Sequence, residues 1–227
     1  MTPLRAGVIG VGHLGQHHAR HYATLPGVTL AGVYDASPDR AKLIAARHGV
    51  QAWAGLDEMF TQVDLVSVAA PTSAHFAAAK ACLEAGKHVL VEKPIAVTSA
   101  EARELVDLAA RQGCLLQVGH SERFNPIMQR MRASIERPAF IEGHRLSAFG
   151  ERGTDVDVVL DLMIHDLDLV LSFHPGPVEE VRAAGVPVLS SNIDIANARI
   201  AFASGCVANL TASRVSTNKM RRLRFFQ

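Results

Sequence analysis

The sequence predicts an α/β protein, with a doubly wound parallel sheet over residues 1–118 and an α+β domain with a largely antiparallel sheet over 119–227. Three observations carry this expectation. Short apolar strands alternate with helical stretches up to Val118, the pattern of successive βαβ units. A complete GxGxxG, Gly10-Val11-Gly12-His13-Leu14-Gly15, joins the first strand to the first helix. Beyond Gly119 the strands follow one another with few helices between them, which is how antiparallel sheets are written.

The elements follow in order. Residues 5–9 form a nearly all-apolar strand of the kind buried on both faces. Gly10 permits the tight turn, Gly12 lets the backbone approach a pyrophosphate, and Gly15 lets the helix over 16–25 pack close to the strand. With His13 and Leu14 this loop offers unpaired N–H groups at the positive end of a helix, a seat for a dinucleotide. The strand over 28–34 ends on Asp35, whose carboxylate can take both adenosine ribose hydroxyls and repels a 2′-phosphate. NAD is therefore favoured over NADP, while Ser37 and Arg40 remain as groups able to hold such a phosphate.

Ser37-Pro38-Asp39 starts a helix over 40–49 that stops at Gly49. A short strand (51–54) and a short helix (56–60) precede a buried strand over 64–70, which ends at Ala70-Pro71-Thr72. The helix over 73–85 closes on Gly86, and the strand over 88–91 runs into Glu92-Lys93-Pro94. Thr98 or Ser99 caps a helix over 100–112, and a strand over 115–118 follows. In the second domain a helix is expected over 122–135, a strand over 140–149 and a strongly amphipathic helix over 157–173. Strands over 178–184, 193–202 and 206–213 come next, the last two joined by a hairpin at Ser204-Gly205. Residues 220–226 read as an incoming strand whose partner is still to come, the mark of a shortened or incomplete chain.

Composition removes several function classes. The formal net charge is +1, so neither nucleic acid nor an acidic membrane is an expected partner. Cys82, Cys114 and Cys206 are scattered, odd in number and lack CxxC spacing, which points to a reducing compartment. No apolar leader opens the chain and no apolar run reaches spanning length, so the expectation is a soluble, cytoplasmic protein.

Two further stretches bear chemistry. Lys93 stands at the carboxyl end of a central strand, where ligands bind in open α/β sheets. A lysine there neutralises charge developing on an oxygen and lowers the pKa of a substrate hydroxyl, against the blander reading of a surface lysine beside a turn. The Lys93–Pro94 bond is a candidate cis peptide. Asp161 and His165, four apart, share a helix face and make a general-base pair near neutral pH, although such pairs are more often surface ion pairs. Asp157 extends this face, while Asp166 and Asp168 fall toward the solvated side. His13, His17, His18 and His21 crowd the first helix without cysteine or carboxylate ligands, so no metal site is expected. GxSxG, HExxH and P-loop motifs are absent, which leaves redox chemistry.

These residues resemble the Gfo/Idh/MocA oxidoreductases. The matching features are Gly10–Gly15 with His18-Ala19, Pro71 with His75, and the run Ala85-Gly86-Lys87-His88-Val89-Leu90-Val91-Glu92-Lys93-Pro94. Gly119 with Arg123-Phe124-Asn125-Pro126, the series Asp161, His165, Asp166, Asp168, and Phe202-Ala203-Ser204-Gly205 complete the match. The resemblance implies an NAD-dependent dehydrogenase acting on CH–OH groups of a sugar or nucleotide-sugar. Lys93, His165 and Asp161 would be catalytic, with Ala70, Pro71, Thr72, His75, Glu92 and Lys93 on the nicotinamide side. Glu122, Arg123, Asn125, Asp157, Asp161 and His165 would bind substrate, and the open face of the second sheet would serve a homodimer or homotetramer. Just before Asp161 the family's glycine-rich turn is replaced by Asp155-Val156-Asp157-Val158. The run Gly119-His120-Ser121-Glu122-Arg123-Phe124-Asn125-Pro126, combined with Asp157-Val158-Val159-Leu160-Asp161-Leu162-Met163-Ile164-His165, resembles the branch acting on the 3-hydroxyl of UDP-N-acetylglucosamine. The rival readings are a dehydrogenase of a free sugar or inositol, and a catalytically silent NAD- or sugar-sensing protein of the same fold.

Overall fold

The computed structural model describes residues 2–150 and 155–227; Met1, from which the first expected domain is counted, lies outside them. The chain divides into two compact units, Met1–Gly119 and His120–Gln227.

In the first unit, strands β1 (Leu4–Ile9), β2 (Val28–Tyr34), β3 (Gln51–Ala52), β4 (Leu65–Val68), β5 (His88–Val91) and β6 (Leu116–Val118) form one parallel sheet. Its order is β3-β2-β1-β4-β5-β6, the doubly wound Rossmann arrangement. The helices between them are α1 (Gly15–Tyr22), α2 (Pro38–His48), α3 (Leu56–Gln62), α4 (Thr72–Glu84) and α5 (Ser99–Gln112). Two apolar layers sandwich the sheet. Met59, Leu83 and Leu105 pack with Ile9, Val66 and Val68 in one, and Ala19, Val33 and Ile44 pack with Val8 and Val11 in the other.

Local signals set the helix ends. Gly49 and Gly113 adopt left-handed φ of 64° after α2 and α5, which only glycine does without strain. Thr98 and Glu101 form a reciprocal capping box at the start of α5. Arg5 fastens β1 to the turn before β4, its backbone N–H and guanidinium each 2.8 Å from Asp64. Those hydrogen bonds hold the Asp64 carboxyl down at about 2. Their stabilisation is complete above the ordinary carboxylate range and is lost as pH falls through about 2, so Asp64→Asn should flatten the acid limb of unfolding below about pH 4, followed by circular dichroism.

The second unit departs from expectation in three places. The helix expected over 122–135 is a 3₁₀ turn (Ser121–Phe124) and a short helix α6 (Pro126–Arg132), because Pro126 has no N–H to continue the first turn. Asn125 instead caps α6, accepting from the Ile127 N–H at 3.0 Å. The helix expected over 157–173 opens with a π-helical turn (Val159–Met163) and continues as α7 (Ile164–Ser172). π-turns of this kind concentrate at functional sites. Finally, the strand at 220–226 already has its partner upstream.

Strands β7 (Phe140–Leu146), β8 (Val178–Val186), β9 (Ile195–Phe202), β10 (Val207–Ser213) and β11 (Met220–Phe226) make one sheet in the order β11-β7-β10-β9-β8. All neighbours are antiparallel except β7 and β10, which run parallel. A parallel pair needs a crossover, and the π-turn and α7 supply it. Met163 and Val170 on that helical segment pack against Ile141, Ala198, Phe202 and Leu210 of the sheet.

Candidate active site

The switch point of the first sheet lies between β1 and β4, and the glycine loop leaves the carboxyl end of β1 there. Gly10 has φ +80°, and a Cβ on it would lie 2.6 Å from the Ala70 nitrogen. On Gly15 a Cβ would lie 1.7 Å from the Gly10 oxygen, so α1 can approach β1 only with glycine at that position. Gly12 differs: nothing stands within 4 Å of the missing side chain. That open space over a backbone loop, at the start of a helix with no acidic residue in its first turn, fits a pyrophosphate. Gly12→Val should therefore leave the melting temperature nearly unchanged while weakening NAD about tenfold or more. Gly15→Ala should destabilise the unit itself. Calorimetric titration and thermal melts of both variants separate the two effects.

Asp35, at the end of β2, is buried, and it accepts from the N–H groups of Val11 and Ser37, each at 2.8 Å. Arg40 reaches over it, Nη1 3.3 Å from Oδ1. A cavity of about 210 Å³ opens beside Asp35, lined by Tyr34, Pro38, Lys42 and Trp53 among others. The Arg40 guanidinium thus meets the Asp35 carboxylate, and a 2′-phosphate brought to the end of β2 would face that carboxylate's charge. His13 and Leu14 are exposed on the loop, the His13 ring edge-on to His17.

Across the switch point, Ala70, Pro71 and Thr72 lead into α4. His75 is almost wholly buried, its ring nitrogens 2.7 Å from the Pro94 carbonyl and 2.9 Å from the Ala70 carbonyl. It straps the two loops together from beneath, so any effect on a cofactor passes through them. Glu92 and Lys93 leave the end of β5, and the Lys93–Pro94 bond is cis.

In the second unit, Asp157 heads the helical segment. Its Oδ1 accepts from Val159 and Leu160 N–H groups, each at 3.0 Å, which makes it the cap of the π-turn. Asp161 lies in that turn and His165 in the first turn of α7. Glu122 takes a hydrogen bond from Asn125 at 3.3 Å and stands 3.9 Å from both Arg145 and Arg221.

Asp166 and Asp168 correct the expectation of a solvated side, since both are buried. Arg145 grips Asp166 with two nitrogens, at 3.1 and 2.6 Å, and Arg123 grips Asp168 at 2.7 and 2.5 Å. Arg123, expected among the substrate groups, places its Nε and Nη2 on Asp168, while its side chain stays about half exposed. Two forks hold the helix just beyond His165. A third pins the chain that leads into it: Arg214 donates to the Val156 carbonyl at 2.8 Å and to Asp194 at 2.8 Å. Burial alone would raise the Asp194 carboxyl, but bonds from Ser190, Arg214 and three backbone N–H groups hold it far below the usual range. Neither Arg145 nor Arg214 stood out in the sequence, because nothing local marks an arginine that pairs with a carboxylate 20 or more positions away. Among the described residues no cluster of histidine, cysteine or acidic groups could hold a metal ion, and no helix is long and apolar enough to cross a membrane.

A parallel Rossmann sheet with a glycine cradle, an acid closing β2 and a lysine at the end of β5 defines an NAD-binding oxidoreductase. The chain belongs to the Gfo/Idh/MocA family: residues 4–120 match its NAD-binding Rossmann-fold model and residues 128–226 its C-terminal domain model. It is 42% identical over 227 residues to UDP-N-acetylglucosamine 3-dehydrogenase of Acidithiobacillus ferrooxidans, covering all of this chain and 72% of that protein. The solved structure of an enzyme of that name from the same organism superimposes with a TM-score of 0.93, covering all of this chain and 75% of that one. Myo-inositol 2-dehydrogenase of Thermotoga maritima is 26% identical over 229 residues, covering 93% of this chain and 69% of that protein.

Proposed function

We propose that the protein oxidises the 3-hydroxyl of a UDP-linked N-acetylhexosamine, most simply UDP-N-acetylglucosamine, with NAD. The observation that carries this reading is the 42% identity along the whole chain to an enzyme named for that reaction. Bound NAD supplies the acceptor for the hydrogen that leaves carbon with its electron pair. The glycine loop and Asp35 hold the dinucleotide, and Ala70, Pro71 and Thr72 border its nicotinamide end. Lys93 donates to the substrate hydroxyl, lowers its pKa and stabilises the oxygen as charge builds there. His165 takes the hydroxyl proton, and Asp161 orients the ring and favours its charged form once the proton has moved. Glu122, Asn125 and Asp157 belong to the substrate side. Arg123, with Arg145, keeps His165 in place through the two aspartates that follow it.

The cytoplasm and a homodimeric or homotetrameric assembly complete the proposal. Three free cysteines and an open-faced second sheet support them. The test is NADH formation at 340 nm with a panel of UDP-sugars, free hexoses and inositols. Turnover with UDP-N-acetylglucosamine and little with the others is the expected result. Turnover confined to an inositol or free sugar would keep the mechanism and reject the substrate. NAD binding with no turnover on any of them would favour a sensing protein.

A further inference from the structure

We infer that His18 is a positioning residue for Lys93, acting through the carboxylate of Glu92. The inference rests on the reading of Lys93 as the group that meets the substrate hydroxyl. His18 lies on α1, one turn after Gly15, with its ring turned beneath the sheet's switch point. Its Nε2 is 3.0 Å from Glu92 Oε1 and its Nδ1 is 3.1 Å from the Ser67 hydroxyl. The Tyr22 hydroxyl, one turn further along α1, is 2.7 Å from the same Ser67 oxygen. Ser67 is fully buried, and the side chains of His18 and Glu92 are each only 16% exposed.

The four groups satisfy one another in a single direction. With the proton on Nε2, Tyr22 donates to Ser67, Ser67 donates to Nδ1, and His18 donates to Glu92. Each hydroxyl and ring nitrogen is then used, and the chain ends on a carboxylate. The second oxygen of that carboxylate, Oε2, accepts from the Lys93 backbone N–H at 3.2 Å. Gly119 walls in the third side: a Cβ there would come within 3.0 Å of the Glu92 carboxyl carbon. The carboxylate is thus fixed by a histidine on one oxygen, an amide on the other and a backbone wall beside it. Burial raises the Glu92 carboxyl, yet the bonds from His18 and Lys93 outweigh it and hold the group ionised.

The consequence falls on Lys93. A lysine carries a flexible four-carbon stem, so the place of its ammonium depends first on where its Cα is held. A small misplacement of a reacting group costs rate far more than binding. Glu92 therefore works as a clamp on the Lys93 backbone, and His18 as the support of that clamp.

The test compares His18→Leu, which cannot donate, with His18→Gln, whose amide can reach the position of Nε2. His18→Leu should lower kcat about 10- to 100-fold while the calorimetric affinity for NAD changes by less than about threefold. His18→Gln should recover most of that loss. A second readout needs no substrate: with ¹³C-labelled glutamate, the Glu92 carboxyl should titrate at higher pH in His18→Leu than in wild type, and His18→Gln should restore it. A carboxyl shift on a protein inactive toward every sugar offered would keep His18 as the support of the Glu92 clamp and reject the function on which the role of Lys93 rests. Wild-type kcat in His18→Leu would overturn it, and so would a Glu92 titration that does not move. Equal losses of kcat in both variants would also overturn it, since they would mark a purely structural histidine.

Discussion

Lys93→Ala and His165→Ala should each lower kcat by about 10²–10⁴-fold while leaving the calorimetric affinity for NAD close to wild type. The two residues sit in different units, at the end of β5 and in the first turn of α7. The cradle at Gly10, Gly12 and Gly15 and the carboxylate of Asp35 lie on other elements of the first unit, so removing either side chain leaves the groups expected to hold the pyrophosphate and ribose in place. In the proposed mechanism the lysine stabilises charge on the hydroxyl oxygen and the histidine removes its proton. The double variant should therefore fall well short of the product of the two single losses, because the groups act on one event. If either single variant turned over at the wild-type rate, that residue would have no part in the proton transfer.

Arg145→Leu should cost the second unit about 3–5 kcal/mol of stability, measured by urea unfolding followed by circular dichroism. Its guanidinium is nearly buried and grips Asp166, whose carboxylate is likewise nearly buried. Taking away the cation strands an anion that water cannot reach. Replacing both residues by apolar ones of similar volume should recover most of the loss, because a buried ion pair costs nearly as much in desolvation as it returns. Asp166 adjoins His165, so the single variant should also lower kcat. A single variant as stable as wild type would mean that water reaches Asp166 when Arg145 is gone.

The parts of this molecule that local chemistry dictates could be read from its sequence. The glycine cradle needs no partner beyond its own strand and helix, so Gly10, Gly12 and Gly15 announced both the turn and the space above it. Gly49 and Gly113 ended their helices because only the left-handed conformation fits there, and Thr98 with Glu101 opened α5 by hydrogen bonds three residues apart. What could not be read was set at long range. Asp166 and Asp168 look solvated by helical period, yet Arg145 and Arg123, 21 and 45 positions away, pair with them in the interior. The parallel pairing of β7 with β10 depends on the crossover helix folding back on the sheet, which strand patterns do not record. Pro126 was visible, but the helical pattern on either side of it masked the break. His18 looked like one of four crowded histidines, and its partners Ser67 and Glu92 lie 49 and 74 positions away.

The most direct measurement of the central claim is a single turnover with UDP-N-acetylglucosamine carrying deuterium at carbon 3, followed by mass analysis of the nicotinamide cofactor. Oxidation of the 3-hydroxyl moves that deuterium into the reduced cofactor, raising its mass by one unit and leaving a 3-keto sugar. Reduced cofactor without deuterium would place the oxidised carbon elsewhere on the sugar. No reduced cofactor from this substrate, with NAD bound, would contradict the claim outright.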